Sequence, residues 1–242
     1  MSTLDSFPPG GVAVIIGATG GIGRAVADAV RESGQFSDII LLSRQSDPAI
    51  DLLDETTIEA AFHHVASLGN DLRLIFDATG VLDDTLPQGG VMKPEKALRA
   101  IEKNAMAHSF AVNAIGPALL LKHAAKRLPR TGKSVFATLS AKVGSIGDNR
   151  LGGWISYRAS KAALNQIVRT AAIEIARNRP EARVVALHPG TVDTGLSQAY
   201  ARTGLDVLTP EESAKRLLTI LDQLPIEQTG EFFSHTGDTL PW

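Results

Sequence analysis

The chain of 242 residues contains no cysteine, which excludes disulfide bonds, thiolate catalysis and metal sites built on cysteine. The six histidines show no metal-ligand spacing, and the adjacent His63 and His64 would point to different sides of a helix. We therefore expect no metal centre. The lack of cysteine also agrees with a reducing compartment, and we expect a cytoplasmic location.

The sequence also lacks a basic patch and a long apolar run. Its 24 basic and 26 acidic residues give a net charge of -2 and are spread along the whole length, which disfavours binding to nucleic acid. No stretch approaches the ~18 apolar residues of a membrane span, and the first residues lack the pattern of a signal peptide. We expect neither nucleic acid nor a membrane as a partner.

Short apolar runs alternate with helical segments along the chain. Strands are predicted at residues 12–16, 39–42, 72–76, 134–139, 184–187 and 231–233, with a stub at 49–50. Helices are predicted at 22–33, 56–68, 95–128 with an interruption at Gly116-Pro117, 154–177 and 210–224, and a surface loop at 83–94. This alternation predicts an α/β fold with a single doubly wound parallel sheet, Rossmann-like, with helices on both faces. No linker divides the chain, so residues 1–242 are expected to form one domain.

A glycine-rich turn follows the first strand, with the spacing Gly17-x-x-x-Gly21-x-Gly23. Glycines at a junction of strand and helix allow a tight turn and let the backbone approach a pyrophosphate, while the helix N-terminus offers amide donors to the anion. Thr19, Gly20 and Ile22 lie within this segment. The turn therefore predicts a dinucleotide site, although the spacing differs from the G-x-G-x-x-G pattern.

The end of the second strand reads Leu42-Ser43-Arg44, without the carboxylate that would bind the ribose hydroxyls of NAD. An arginine can hold a phosphate through charge-assisted contacts, so this position favours NADP over NAD, unless Arg44 is only a solvated loop residue. Asp51 could accept a hydrogen bond from the adenine amino group, or it could have a turn role.

Four further residues could carry proton chemistry. Tyr157 and Lys161 are four residues apart and therefore neighbours on a helix, where the cation is expected to favour the phenolate. Asn113 precedes Pro117 by four residues, so its carbonyl loses an amide partner and could hold a water. Ser140 follows a strand, so its hydroxyl should lie at the same sheet edge as the glycines.

Together, Gly17-x-x-x-Gly21-x-Gly23, Asn113, Ser140 and Tyr157-x-x-x-Lys161 resemble the short-chain dehydrogenase/reductase family, and residues 144–149 and 154–165 resemble its subgroup of C-factor and carbonyl-reductase relatives. The resemblance implies NAD(P)-dependent interconversion of a carbonyl and an alcohol. It implies that Tyr157 is the general acid/base, that Lys161 lowers the pKa of Tyr157 and binds the nicotinamide ribose, that Ser140 polarises the carbonyl, and that Asn113 holds a relay water. It also implies that Pro189, Gly190, Val192 and Thr194 border the nicotinamide.

The sequence departs from the family pattern at two places. Asp77-Ala78-Thr79-Gly80 stands where the family has Asn-Asn-Ala-Gly, so the adenosine contacts of Ala78, Thr79 and Gly80 transfer only in part. Counting back from Gly144 places Ala141 in the slot of the catalytic serine. Ser140 is our choice for that role, with Ser145 or weak polarisation as the alternatives.

An oxidoreductase acting on a small-molecule carbonyl or alcohol is the favoured function. The alternative is a nucleotide-binding sensor or signalling protein with little turnover, which the Ala141 departure motivates. The loops 81–92 and 196–204 are expected to set specificity, and the apolar residues Leu196, Tyr200 and Leu205 suggest a fairly open pocket. The resemblance suggests a homodimer or homotetramer through the long helices 95–128 and 154–177.

Overall fold

The computed structural model describes residues 4–195 and 206–242. The strands are β1 (Val12–Ile16), β2 (Asp38–Leu42), β3 (Leu72–Asp77), β4 (Asp84–Thr85), β5 (Val91–Met92), β6 (Ser134–Leu139), β7 (Ala182–His188), β8 (Thr191–Val192), β9 (Val207–Leu208) and β10 (Phe232–Ser234). The helices are α1 (Gly21–Ser33), α2 (Glu55–Ser67), α3 (Lys103–Phe110), α4 (Gly116–Ala125), α5 (Ile155–Ala176) and α6 (Pro210–Gln223).

Six strands form one parallel sheet in the order β2-β1-β3-β6-β7-β10. The chain leaves β1 to one side for β2 and crosses to the other side for β3, so the topological switch point lies between β1 and β3. The predicted α/β fold is confirmed.

The predicted strand stub at residues 49–50 is wrong. Ala49 and Ile50 form no strand, and the Ile50 N–H donates instead to the Ser43 carbonyl at 2.9 Å. This bond folds the chain back onto the end of β2, so the segment closes a loop instead of extending the sheet.

The strands β1, β3 and β6 are buried along their whole length because helices cover each side of the sheet. Alternate residues of β1 belong to different cores, with Val14 and Ile16 under α2, α4 and α5, and Ile15 under α1 and α6. Leu164 of α5 and Leu217 of α6 are fully buried in these two cores.

The region predicted as one helix from residue 95 is shorter and more irregular. The helix begins at Lys103, and residues 111–115 form a π-helical turn in which the Gly116 N–H donates to the Ala111 carbonyl. The turn precedes Pro117, whose missing amide favours this local rearrangement. The predicted loop at 83–94 contains the antiparallel pair β4 and β5.

Candidate active site

A cavity of about 1030 Å³ lies along the carboxyl ends of β1, β3, β6 and β7. The predicted site residues that line it are Gly20, Gly21, Ile22, Gly23, Ala78, Thr79, Gly80, Ser140, Tyr157, Lys161, Pro189, Gly190, Val192 and Thr194. The predicted residues outside its lining are Gly17, Thr19, Ser43, Arg44, Asp51 and Asn113. The expected specificity loop 196–204, with Leu196 and Tyr200, and Leu205 lie outside the described residues.

The glycine turn leaves an open cradle beside the first turn of α1. Gly17 adopts a positive φ of 79°, and a Cβ at Gly23 would overlap with the Gly17 carbonyl oxygen. A Cβ at Gly21 would lie 3.0 Å from the Thr194 methyl group. The first turn of α1 contains no acidic residue, so its N-terminus keeps a positive potential toward the cavity. Because the glycines place no side chain over the backbone amides at this helix N-terminus, a pyrophosphate can bind there.

The residues after β2 lie beside this cradle. The Asp51 carboxylate accepts a hydrogen bond from the Leu53 N–H at 2.9 Å, which is the turn role left open by the sequence. The Ser43 N–H donates to the Ser46 hydroxyl at 2.8 Å, so Ser43 also belongs to the turn. Arg44 is exposed at the end of β2.

Lys161 and Tyr157 lie on the cavity face of α5, but the expected electrostatic effect on the phenol is wrong for this geometry. The Lys161 ammonium donates to the Leu139 carbonyl at 2.8 Å and lies 6.0 Å from the centre of the Tyr157 ring. Burial of the phenol raises the pKa of Tyr157 to about 12. Burial also lowers the pKa of Lys161 to about 8, although the Asp77 carboxylate opposes this change. Desolvation is thus the cause of the raised pKa of Tyr157, and the lowering that the i, i+4 spacing predicts is not found.

Asn113 lies in the π-helical turn, and its side chain contacts the loop that follows β3. Its Oδ1 accepts from the Val81 N–H, and its Nδ2 donates to the Val81 carbonyl, both at 2.8 Å. Nδ2 also lies 3.2 Å from the Ser160 hydroxyl and 3.3 Å from the Ser109 hydroxyl. The amide thus joins three elements behind the cavity. Its nearness to Gly80, where a Cβ would lie 3.3 Å from Oδ1, connects it to the cavity wall.

Asp77, the first departure from the family pattern, is completely buried at the end of β3. Its carboxylate accepts hydrogen bonds from the Thr79 N–H at 3.0 Å, the Thr79 hydroxyl at 2.5 Å and the Thr138 hydroxyl at 2.7 Å. Burial raises the pKa of Asp77, while these hydrogen bonds and the Lys161 charge oppose the increase. The carboxylate thereby fixes the turn that carries Ala78, Thr79 and Gly80.

At the second departure from the family pattern, neither Ser140 nor Ser145 has a hydroxyl without a protein partner. Ser140 lines the cavity, but its hydroxyl donates to Asn165 Oδ1 at 2.6 Å. The Ser145 hydroxyl donates to the Trp242 carbonyl at 3.3 Å and accepts from the Asp148 N–H at 3.1 Å. Ala141 lines the cavity and has no hydroxyl.

Glu95 is a residue of the site region that the sequence analysis did not single out. It is 5% exposed, and its carboxylate accepts from the Ser156 N–H at 3.1 Å and from the Ser156 hydroxyl. Its carbonyl accepts from the Trp154 N–H at 2.5 Å. Trp154 has a φ of 52° and gives α5 no side-chain cap, so Glu95 supplies the cap through Ser156, the residue immediately before Tyr157. No local pattern reveals it, because the two partners are 61 residues apart.

Two groups of comparisons with known proteins agree with this architecture. The sequence model of the short chain dehydrogenase family matches residues 11–205. A 1-hydroxy-2-glutathionyl-2-methyl-3-butene dehydrogenase of Rhodococcus sp. strain AD45 is 27% identical over 95% of this chain and 98% of its own length. The C-signal protein of Myxococcus xanthus is 34% identical over 68% of this chain and 95% of its own length.

Solved structures show the same fold. An NADPH-bound carbonyl reductase from chicken fatty liver superposes with a TM-score of 0.79 at 23% identity, over 97% of this chain and all of that one. A Burkholderia multivorans protein described as a putative short-chain dehydrogenase/reductase, solved with bound NADP, has a TM-score of 0.76 at 24% identity, with 97% and 100% coverage.

Proposed function

Because the chain belongs to the short-chain dehydrogenase family, we propose that it is an NADP(H)-dependent oxidoreductase that interconverts a carbonyl and an alcohol. The observation that carries this proposal is the single cavity that is lined both by the glycine cradle of α1 and by Tyr157 and Lys161 of α5. A dinucleotide bound there supplies a hydride acceptor or donor, which this chain's own side chains do not provide.

The choice of NADP rests on Arg44 and on the relatives. The end of β2 has no carboxylate that would repel a 2'-phosphate, and Arg44 is exposed there to receive one. The carbonyl reductase from chicken fatty liver was solved with NADPH, which supports the same cofactor for this chain.

Tyr157 is the proposed general acid/base. In the reducing direction a hydride adds to the carbonyl carbon and the π electrons of the C=O bond move to the oxygen. The Tyr157 O–H bond then breaks and its proton is transferred to that oxygen. The high pKa of about 12 keeps this proton on the phenol at neutral pH. Lys161 would hold the nicotinamide ribose, and Asn113 would position the loop that contains Gly80 and Val81.

The alternative is a nucleotide-binding sensor with little turnover. The Myxococcus xanthus relative is named for a signal, and Ala141 lacks the expected hydroxyl. Tyr157 and Lys161 line the same cavity and Asn113 lies directly behind Gly80 of its wall, and this combination favours the enzyme.

Tyr157→Phe tests the proposal against this alternative. The variant keeps the ring but has no proton to donate, so turnover of aldehydes, ketones and quinones with NADPH should fall by ~10²- to 10⁴-fold. NADPH binding, followed by the fluorescence of the bound nicotinamide, should remain. Wild-type protein that binds NADPH but reduces no member of the panel would identify a sensor, and equal turnover by Tyr157→Phe would refute the role of the tyrosine.

We also propose a homodimer or homotetramer that uses the outer faces of α4 and α5. Ile115 and Ile173 are 54% and 53% exposed beside and on these helices, where they would lie in the proposed interface. Sedimentation of the wild type against Ile173→Lys would test this assembly.

A further inference from the structure

The His188 ring lines the same cavity, at the carboxyl end of β7. Leu139 of β6 pairs with Leu187 of β7, and the Ser140 N–H donates to the Leu187 carbonyl at 2.8 Å. The register therefore places His188 beside Ser140 on the neighbouring strand. Both side chains point to the α5 side of the sheet, because alternate residues of a strand face the same way and Ala186 belongs to the core under α5.

The two ring nitrogens of His188 have different surroundings. Nδ1 is buried and has no hydrogen-bond partner. No described residue forms a hydrogen bond with Nε2, and we infer that this is the nitrogen that faces the cavity lined by His188. Burial, together with the charges of His235 and Lys142, lowers the pKa of His188 to about 4, and the ring is neutral at pH 7.

A neutral imidazole has one N–H donor and one lone pair. A buried donor without a partner is rarer in proteins than an unsatisfied acceptor, so the proton is expected on Nε2. This tautomer leaves a lone pair at the buried Nδ1 and directs an uncharged N–H donor into the cavity.

Such a donor would add to the cavity what the three positions considered for the catalytic hydroxyl do not offer in this structure, a hydrogen-bond donor without a protein partner. The Ser140 hydroxyl donates a hydrogen bond to Asn165 Oδ1, and the Ser145 hydroxyl donates one to the Trp242 carbonyl. Ala141 has no hydroxyl. A carbonyl oxygen that gains negative charge during hydride transfer is stabilised by each hydrogen bond aimed at it, and removal of one such donor costs ~10²- to 10³-fold in kcat.

We propose that His188 is a catalytic residue that donates a hydrogen bond from Nε2 to the carbonyl oxygen of the substrate. Tyr157 supplies the proton to this oxygen, and His188 stabilises the developing charge without losing a proton. This inference rests on the proposed oxidoreductase function.

The test compares three replacements that separate the two ring nitrogens. The amide nitrogen of glutamine reaches about as far as Nε2, whereas that of asparagine reaches about as far as Nδ1. His188→Ala and His188→Asn should lower kcat for a neutral aldehyde with NADPH by ~10²-fold. His188→Gln should retain at least ten times the turnover of His188→Asn, and NADPH affinity should change by less than about two-fold in all three.

His235→Gln is the matched control. The His235 ring lies 6.2 Å from that of His188 in an edge-to-face arrangement, and its Nδ1 lies 3.1 Å from an Arg216 guanidinium nitrogen. His235 is outside the cavity lining, so its replacement changes the neighbourhood of His188 without removing a donor from the cavity. Its kcat should stay within about two-fold of the wild type, since the replacement removes no donor that is aimed at the substrate oxygen.

The outcomes distinguish this inference from the proposed function. A His188→Ala variant with near wild-type kcat, or equal losses in the Gln and Asn variants, overturns the role of His188 while Tyr157→Phe still tests the enzyme. Wild-type protein without any carbonyl turnover overturns both. If His188→Ala does not fold, the Gln and Asn variants, which are similar in size and polarity, still decide the question.

Discussion

Tyr157 and Lys161 have pKa values that burial moves in opposite directions, and each change favours the neutral form. The phenol holds its proton up to about pH 12, whereas the ammonium loses its proton near pH 8. In the protein without a cofactor, Lys161 is therefore the member of the pair that titrates within the range of ordinary assays. Its charge is stabilised by the Leu139 carbonyl and opposed by desolvation.

We predict an alkaline decline in carbonyl reduction that follows Lys161. The lysine is charged below its pKa of about 8 and neutral above it, so kcat/KM should be level below this pH and fall as the pH rises. Lys133→Arg is the control, because burial also lowers the pKa of Lys133 to about 8 but this residue bonds to Ser6 and to the end of α6. A decline that moves in Lys133→Arg, or a level profile to pH 9.5, contradicts the assignment.

The pair could be found from sequence because its members are one helical turn apart. His188 and Glu95 could not be found in this way, since each depends on a partner from a distant part of the chain. Ser140 was found by its place after a strand, but the direction of its hydroxyl depends on Asn165, which is 25 residues away. The choice of Ser140 as the catalytic hydroxyl stays a prediction.

At the scale of elements, the start of α5 depends on a residue outside that helix. Glu95→Ala would leave the Ser156 N–H and hydroxyl without their buried acceptor, which typically costs ~1–3 kcal/mol. We predict this loss in the free energy of unfolding, together with a lower kcat, because the helix start also positions Tyr157. Urea unfolding and steady-state kinetics measure the two effects.

Asp54→Ala provides the comparison for this prediction. Asp54 is outside the cavity lining and caps α2 through the Thr56 N–H at 3.0 Å, and its removal should cost ~0.5–2 kcal/mol. The variant should keep the wild-type kcat at temperatures where it is folded. If both cap variants lower kcat equally, Glu95 acts only through general stability.

The helices and strands of the sheet were predictable because their apolar periodicity matches their burial. The exceptions have specific causes. The region predicted as helix from residue 95 starts at Lys103 instead, because the Glu95 side chain and carbonyl bond to α5 and hold residues 95–102 outside a regular helix. Gly116-Pro117 was expected to interrupt the helix, and the irregularity appears one turn earlier, as the π-helical turn that contains Asn113.

At the scale of the whole molecule, we propose that the chain unfolds as one domain, because the two cores share a single sheet. NADPH should then shift the whole unfolding transition. Ligand at 100 times its Kd stabilises the native state by ~2.7 kcal/mol.

Arg44→Ala should reduce the stabilisation by NADPH and leave that by NADH unchanged, since the exposed guanidinium is proposed to bind only the 2'-phosphate. Differential scanning fluorimetry over a range of each dinucleotide measures this. Equal stabilisation of the wild type by both cofactors would contradict the choice of NADP.

Among the helices of the described residues, none has the length and apolar character that a membrane span requires.

The short sheet edge at β2 has a consequence for how the protein behaves when partly unfolded. In the part of the chain that the structure describes, no strand pairs on the outer side of β2, and the loop around Ile50 covers only the end of that strand. An uncovered parallel edge with free amides and carbonyls is a template for strand addition by another chain. Variants that loosen the 43–54 loop are therefore expected to form aggregates through β2 before their catalytic face is damaged, and a charged replacement of the exposed Leu41 should slow this process.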